Sequence, residues 1–145
     1  MQLGGARGRG LVLPWTGGGS TCTAINDLFT FHTYTPYIRF SSSLQGTLPP
    51  SLLYATTLQT LTLSGNYLTG TLPASWSALT ALTAVDISAN RLTGTLPPAW
   101  GSASALSLMR TINLANNGFW STIPPSWGTG LPAIVRILVD GNPLL

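Results

Sequence analysis

Lysine and glutamate are both absent from this chain of 145 residues, and charged side chains make up only 6% of it. The carboxylates are reduced to Asp27, Asp86 and Asp140, widely separated in sequence, which leaves paired-carboxylate catalysis without a visible basis. Cysteine and histidine occur once each, as Cys22 and His32. One cysteine cannot close an internal disulfide, and one histidine beside one cysteine is too few for a zinc site. Cys22 and His32 are formally a nucleophile and a base, but no motif positions them together, so an exposed or hydrogen-bonded histidine is the simpler reading. Neither a phosphate-binding loop nor a Gly-x-Ser-x-Gly elbow is present, and nothing in the residue pattern calls for a cofactor. Six arginines set a net charge of +3, spread too thinly for a nucleic-acid stripe or a membrane patch. The one cluster, Arg7 and Arg9 among glycines, reads as a mobile tail.

Long apolar runs are also missing, although 44% of the residues are hydrophobic. The strongest candidate, Ala133 to Val139, is short and interrupted by Arg136, so no membrane span is expected. Leu11, Val12 and Leu13 are too few for the apolar core of a secretory signal. No Asn-x-Ser/Thr sequon exists, so the asparagines are not N-glycan acceptors.

What the chain has is a repeat. Leu58-x-x-Leu61-x-Leu63-x-x-Asn66 recurs as Leu82, Val85, Ile87 and Asn90, as Met109, Ile112, Leu114 and Asn117, and as Ile134, Ile137, Val139 and Asn142. Starts at residues 58, 82, 109 and 134 are 24, 27 and 25 residues apart, a leucine-rich-repeat period. A second element runs in phase: Leu68-Thr-Gly-Thr-Leu-Pro-Ala-Ser-Trp76, Leu92-Thr-Gly-Thr-Leu-Pro-Pro-Ala-Trp100 and Ser121-Thr-Ile-Pro-Pro-Ser-Trp127, with a weaker copy at residues 44–52. The expected fold is a leucine-rich-repeat solenoid, a short right-handed superhelix with a parallel concave sheet and an irregular, 3-10 or polyproline convex side.

Each short strand sends its apolar residues inward, and the Asn that ends it offers a donor and an acceptor to backbone groups losing their sheet partners. Stacked Asn residues then form a ladder, with Asn142 at the open end the least supported. The Gly of the return leg suits a tight bend and the Pro suits extended chain. Trp76, Trp100 and Trp127 are expected as a stacked column inside the convex wall, each indole nitrogen near the surface. The competing idea is an exposed aromatic strip for carbohydrate, since exposed apolar strips mark binding surfaces; the core reading is preferred.

Residues 1–43 are expected as a Gly-rich tail and degenerate cap, and residues 44–145 as the repeats. Thr23 suits the start of a short helix to about Phe31, and Phe29 to Phe40 form an aromatic-rich cover. Ile38-Arg-Phe40 reads as a degenerate first strand. Residues 101–108 carry three extra residues over the preceding repeat and read as a bulge or helical turn. An array ending at Leu145 without a polar cap is expected to be a piece of a longer protein.

The repeat resembles plant-type leucine-rich repeats. Its Thr-Leu-Pro-x-x-Trp version, at residues 71–76 and 95–100, is similar to trypanosomatid surface antigens of the promastigote surface antigen and proteophosphoglycan type. That resemblance implies a secreted or lipid-anchored surface protein acting in adhesion or host interaction, with any anchor in sequence outside this chain. The cap of such proteins pairs two cysteines, where this chain offers only Cys22.

The expected function is therefore a non-catalytic binding scaffold that takes a protein or glycan ligand on its concave face and no nucleic acid. Outward positions put Thr62, Asp86, Arg110, Asn113, Arg136 and Asp140 forward as binding residues, with a polar or charged ligand, or mutual pairing of these charges, as the two readings. Two rivals stay open. One is an ectodomain fragment of a plant-type receptor-like kinase or defence inhibitor. The other is the repeat region of an enzyme whose chemistry lies in another domain.

Overall fold

The computed structural model describes residues 11–12, 36–39, 43–143 and 145. The helix expected from Thr23, the aromatic stretch up to Thr35, Phe40, Cys22, His32 and Asp27 all lie outside the described residues. The chain coils so that one three-residue strand per turn joins a parallel sheet. Its strands are β1 (Leu11–Val12), β2 (Tyr37–Arg39), β4 (Thr60–Thr62), β6 (Ala84–Asp86), β8 (Thr111–Asn113) and β10 (Arg136–Leu138), in that spatial order. Ile38, Leu61, Val85, Ile112 and Ile137 pair in register along it. The degenerate first strand is therefore real. Leu11–Val12, within the residues expected as tail and cap, also extends the sheet, parallel to β2.

The return legs hold more order than their motif suggests. β3 (Gln45–Thr47) pairs with β5 (Tyr67–Thr69), and β7 (Thr93–Gly94) with β9 (Gly118–Phe119), giving two small parallel sheets beside the main one. Gly70 and Gly94 lie at φ +82° and +86°. A Cβ on them would meet the Thr47 and Thr71 methyl groups at 3.0 and 2.7 Å, so glycine here serves both the turn and the close stacking of coils.

The convex side is built from the 3-10 turns η1 (Pro50–Tyr54), η2 (Ala74–Ala78) and η3 (Pro98–Gly101), and from an α-helix over Pro125–Gly130. Each follows an extended proline, and a second proline fills the first turn of three of them, where its missing N–H costs nothing. The extra residues after η3 do form a bulge, with Ser104 at φ +63° and Ala105 and Leu106 buried beneath it.

Between sheet and convex wall lies one continuous core of the strand leucines and isoleucines, the return-leg leucines and the tryptophans. Trp76, Trp100 and Trp127 are 0%, 1% and 1% exposed. Their rings stack at 6.2 and 5.7 Å between centroids, with interplanar angles of 10° and 6°. The indole nitrogens are buried, contrary to expectation. Each donates at 3.0 Å to a proline carbonyl one coil back: Trp76 to Pro49, Trp100 to Pro73 and Trp127 to Pro97. An indole N–H inside a core must find an acceptor, and the preceding proline turn supplies one. That geometry excludes the exposed aromatic strip for these three residues.

The asparagine ladder is complete. The Oδ1 atoms of Asn66, Asn90, Asn117 and Asn142 accept the backbone N–H of Leu44, Leu68, Leu92 and Phe119 at 3.0 to 3.1 Å. The Nδ2 of Asn90 donates to the Leu63 and Ile87 carbonyls, so one side chain ties two coils together. Asn142 is not frayed: it is buried, and its Nδ2 donates to Leu114 and Val139. No buried side-chain nitrogen or oxygen among the described residues lacks a partner.

Candidate functional site

The concave face consists of the outward residues of the main sheet, and the strand register fixes its rows. Tyr37, Thr60, Ala84, Thr111 and Arg136 form one row across the five longer strands. Arg39, Thr62, Asp86, Asn113 and Leu138 form the next. A third row, just before the strands, contains Gln59, Thr83, Arg110 and Val135, linked by backbone bonds from each coil to the one before. Ser64, Ser88, Ala115 and Asp140 form a fourth row beyond the strand ends, again joined through the backbone.

This placement accounts for all six sequence-derived binding residues. Thr62, Asp86 and Asn113 are neighbours in one row and half-buried, while Arg110, Arg136 and Asp140 are exposed at the late end of the array. Asp86 and Arg136 sit two strands apart in different rows, a separation on the order of 10 Å from strand spacing alone. Among the described residues no ion pair links these charges.

Asp86 and Asn113 have local duties as well. Asp86 Oδ1 accepts the Ser88 N–H at 3.1 Å and the Ser88 hydroxyl at 2.7 Å. Asn113 Oδ1 accepts the Ala115 N–H at 3.2 Å. Such short-range bonds help end a strand and hold each side chain in one orientation. Among the described residues the other oxygen of Asp86 and the amide of Asn113 make no hydrogen bond, which leaves both to a ligand.

Sequence reasoning missed Tyr37 and Arg39, which are exposed and extend both central rows at the early end. The signal was available: once Ile38 aligns with Leu61, its neighbours must alternate outward. The face then carries Arg39, Arg110 and Arg136 against Asp86 and Asp140, among threonines and serines. Among the described residues no cluster of metal-ligating side chains forms. Arg91 lies elsewhere, with its guanidinium 4.9 Å from the centroid of the Tyr67 ring. No helix among the described residues is long and apolar enough to cross a membrane.

Residues 57–79, 81–103 and 109–130 match the leucine-rich-repeat family model. Among curated proteins, none matches the chain. Several solved structures do. A crystal structure of a TDR receptor is 31% identical with a TM-score of 0.71, over 76% of this chain and 18% of that one. The leucine-rich-repeat ectodomain of the receptor kinase SOBIR1 from Arabidopsis thaliana is 25% identical with a TM-score of 0.61, over 74% of this chain and 57% of that one. A plant ice-binding protein is 28% identical with a TM-score of 0.68, over 77% of this chain and 36% of that one. The chain thus spans less than two thirds of each of these relatives. With its strand register, asparagine ladder and matching repeats, the chain is a leucine-rich-repeat solenoid, structurally similar to plant receptor-kinase ectodomains.

Proposed function

We propose that the chain is a non-catalytic recognition scaffold of a cell-surface or secreted protein, taking a protein or glycan partner on its concave face. The observation that carries this reading is the division of labour across each strand. Inward residues such as Leu61, Val85 and Ile112 are fully buried, while the rows beside them are polar and accessible. Side chains there can change without loss of core, which suits a surface for recognition. The likeness to receptor ectodomains supports the location, and the Thr-Leu-Pro-x-x-Trp resemblance supports a role in adhesion or host contact.

The test is a panel of extracellular-matrix proteins and immobilised glycans against the wild type and the Arg136→Ala, Asp86→Ala and Arg91→Ala variants. Binding weakened by the first two and unchanged by the third supports the concave face. Losses confined to Arg91→Ala, with the fold intact, refute it.

A second reading rests on one feature. Thr47, Thr71, Thr95 and Thr122 occupy equivalent places on successive coils, all exposed, in a chain with few charges and a structural likeness to a plant ice-binding protein. A column of exposed hydroxyl and methyl groups, one per coil, offers a surface for ordered water. Inhibition of ice recrystallisation, lost on replacing Thr71 and Thr95 with Lys, supports this reading; wild-type protein without that activity refutes it.

A further inference from the structure

We infer that the chain holds a second binding site, away from the concave face, for a neutral saccharide. It is an open cleft of about 430 Å3 between the third and fourth return legs. Leu96, Pro98, Pro124 and Pro125 supply its apolar walls, and Thr95, Thr122 and Ser126 its hydroxyls. Its walls are mostly apolar with a few hydroxyls, and its open shape suits a ligand that stays partly in solvent.

The repeat breaks its own rule at this point and nowhere else along the return legs in the same way. Where two earlier coils have Leu-Thr-Gly-Thr-Leu-Pro, the fourth reads Phe119-Trp-Ser-Thr-Ile-Pro124. Three substitutions fall within four positions; Ser121 lines the cleft, and Trp120 and Ile123 flank its lining residues Ser121 and Thr122 in the chain. Ile123 is 42% exposed, although its counterparts Leu48, Leu72 and Leu96 are 2%, 5% and 2% exposed. Ser121, a lining residue, is held at φ +86°, a conformation its counterparts Gly70 and Gly94 adopt without strain. Trp120 stands where the others carry Thr69 and Thr93, and it is 50% exposed. A displaced core residue, a strained backbone and a bare indole in one tetrapeptide are features that packing alone would not retain.

The chemistry of the cleft selects its ligand. No lining residue is charged, so an ionic ligand would lose its hydration without compensation. The hydroxyls of Thr95 and Thr122 have no hydrogen-bond partner among the described residues and stand one coil apart. Ser126 donates its own proton to the Pro98 carbonyl at 2.9 Å and so faces a ligand as an acceptor. A sugar ring meets this set: its C–H face lies on the apolar walls, with the exposed indole of Trp120 next to the lining residue Ser121 in the chain, while its hydroxyls both donate and accept.

The experiment follows the indole N–H signals of the 15N-labelled chain by NMR during titration with cellohexaose, mannohexaose and chitohexaose. The Trp120 signal is assigned by its loss in Trp120→Thr. A saturable shift of that signal with at least one neutral sugar is expected, with the three buried indoles unmoved. Trp120→Thr is expected to weaken the affinity at least about tenfold, with the melting temperature unchanged. Ser121→Gly is expected to raise the melting temperature and weaken the sugar. Asp86→Ala and Arg136→Ala are expected to leave the sugar affinity intact, which separates this site from the concave face. No saturable shift up to about 10 mM sugar would overturn the proposal. So would undiminished binding by Trp120→Thr, or a preference of the cleft for a proline-rich peptide or a heparin-derived hexasaccharide.

Discussion

Replacing Trp100 tests the column most severely, because it alone of the three is stacked on both faces. Truncation to Ala removes a side chain that is 1% exposed, and buried aromatic-to-Ala changes cost about 3–5 kcal/mol. Stacking adds about 0.5–1.5 kcal/mol per aromatic pair. The lost indole hydrogen bond adds only about 1 kcal/mol, because the Pro73 carbonyl keeps the Trp76 N–H as a second donor. A total above about 5 kcal/mol reaches the lower end of the whole stability of an ordinary domain, about 5–15 kcal/mol. Trp100→Ala is therefore expected to be largely unfolded at 37 °C. Trp100→Phe keeps an aromatic ring and is expected to lose about 2 kcal/mol, from the hydrogen bond and a small cavity. Trp76 and Trp127 each have one aromatic neighbour, so their Ala variants are expected to lose less. Urea denaturation followed by far-ultraviolet circular dichroism measures all four without relying on the fluorescence being removed. The slope needs checking in each case, since a broken central coil can uncouple the two halves of a repeat array. Equal losses for all three Ala variants, or a Trp100→Ala loss below about 1 kcal/mol, would refute the column as a stabilising unit.

In the ladder, Asn90→Ala and Asn142→Ala each strip a buried N–H of its acceptor, Leu68 and Phe119 respectively, at a cost of about 1–3 kcal/mol. Asn90, with a coil on either side, is expected to lose the more; negligible shifts in urea midpoint for both would remove the ladder from the account. Gly130→Ala is expected to cost more than about 3 kcal/mol, because its Cβ would overlap the Gly101 backbone, whereas Gly128 has open space. Comparable melting temperatures for the Ala variants at 128 and 130 would show that the helix can shift. Ser121→Gly is expected to gain about 1 kcal/mol by relieving the positive φ; a lower melting temperature would mean that the serine is held by compensating contacts.

The repeat by itself dictates most of this architecture. Period, inward apolar triplets and the closing asparagines are local patterns, and each has one way to be satisfied when coils stack. That is why the strand positions, the ladder and the buried tryptophans could be read directly, and why Arg136 and Asp86 could be placed on the outer face. What the sequence could not supply was the relation between coils. Asn142 looks terminal in the chain, yet bonds inward to Leu114 and Phe119 as its counterparts do. The indole nitrogens reach proline carbonyls 27 to 30 residues away, a distance no local pattern records. Leu11–Val12 joins the sheet beside Ile38 through backbone pairing, which depends on an available edge and not on a side-chain motif. The cleft lined by Ser121 and Thr122 likewise lies between two successive return legs, a relation that neither leg's own sequence records.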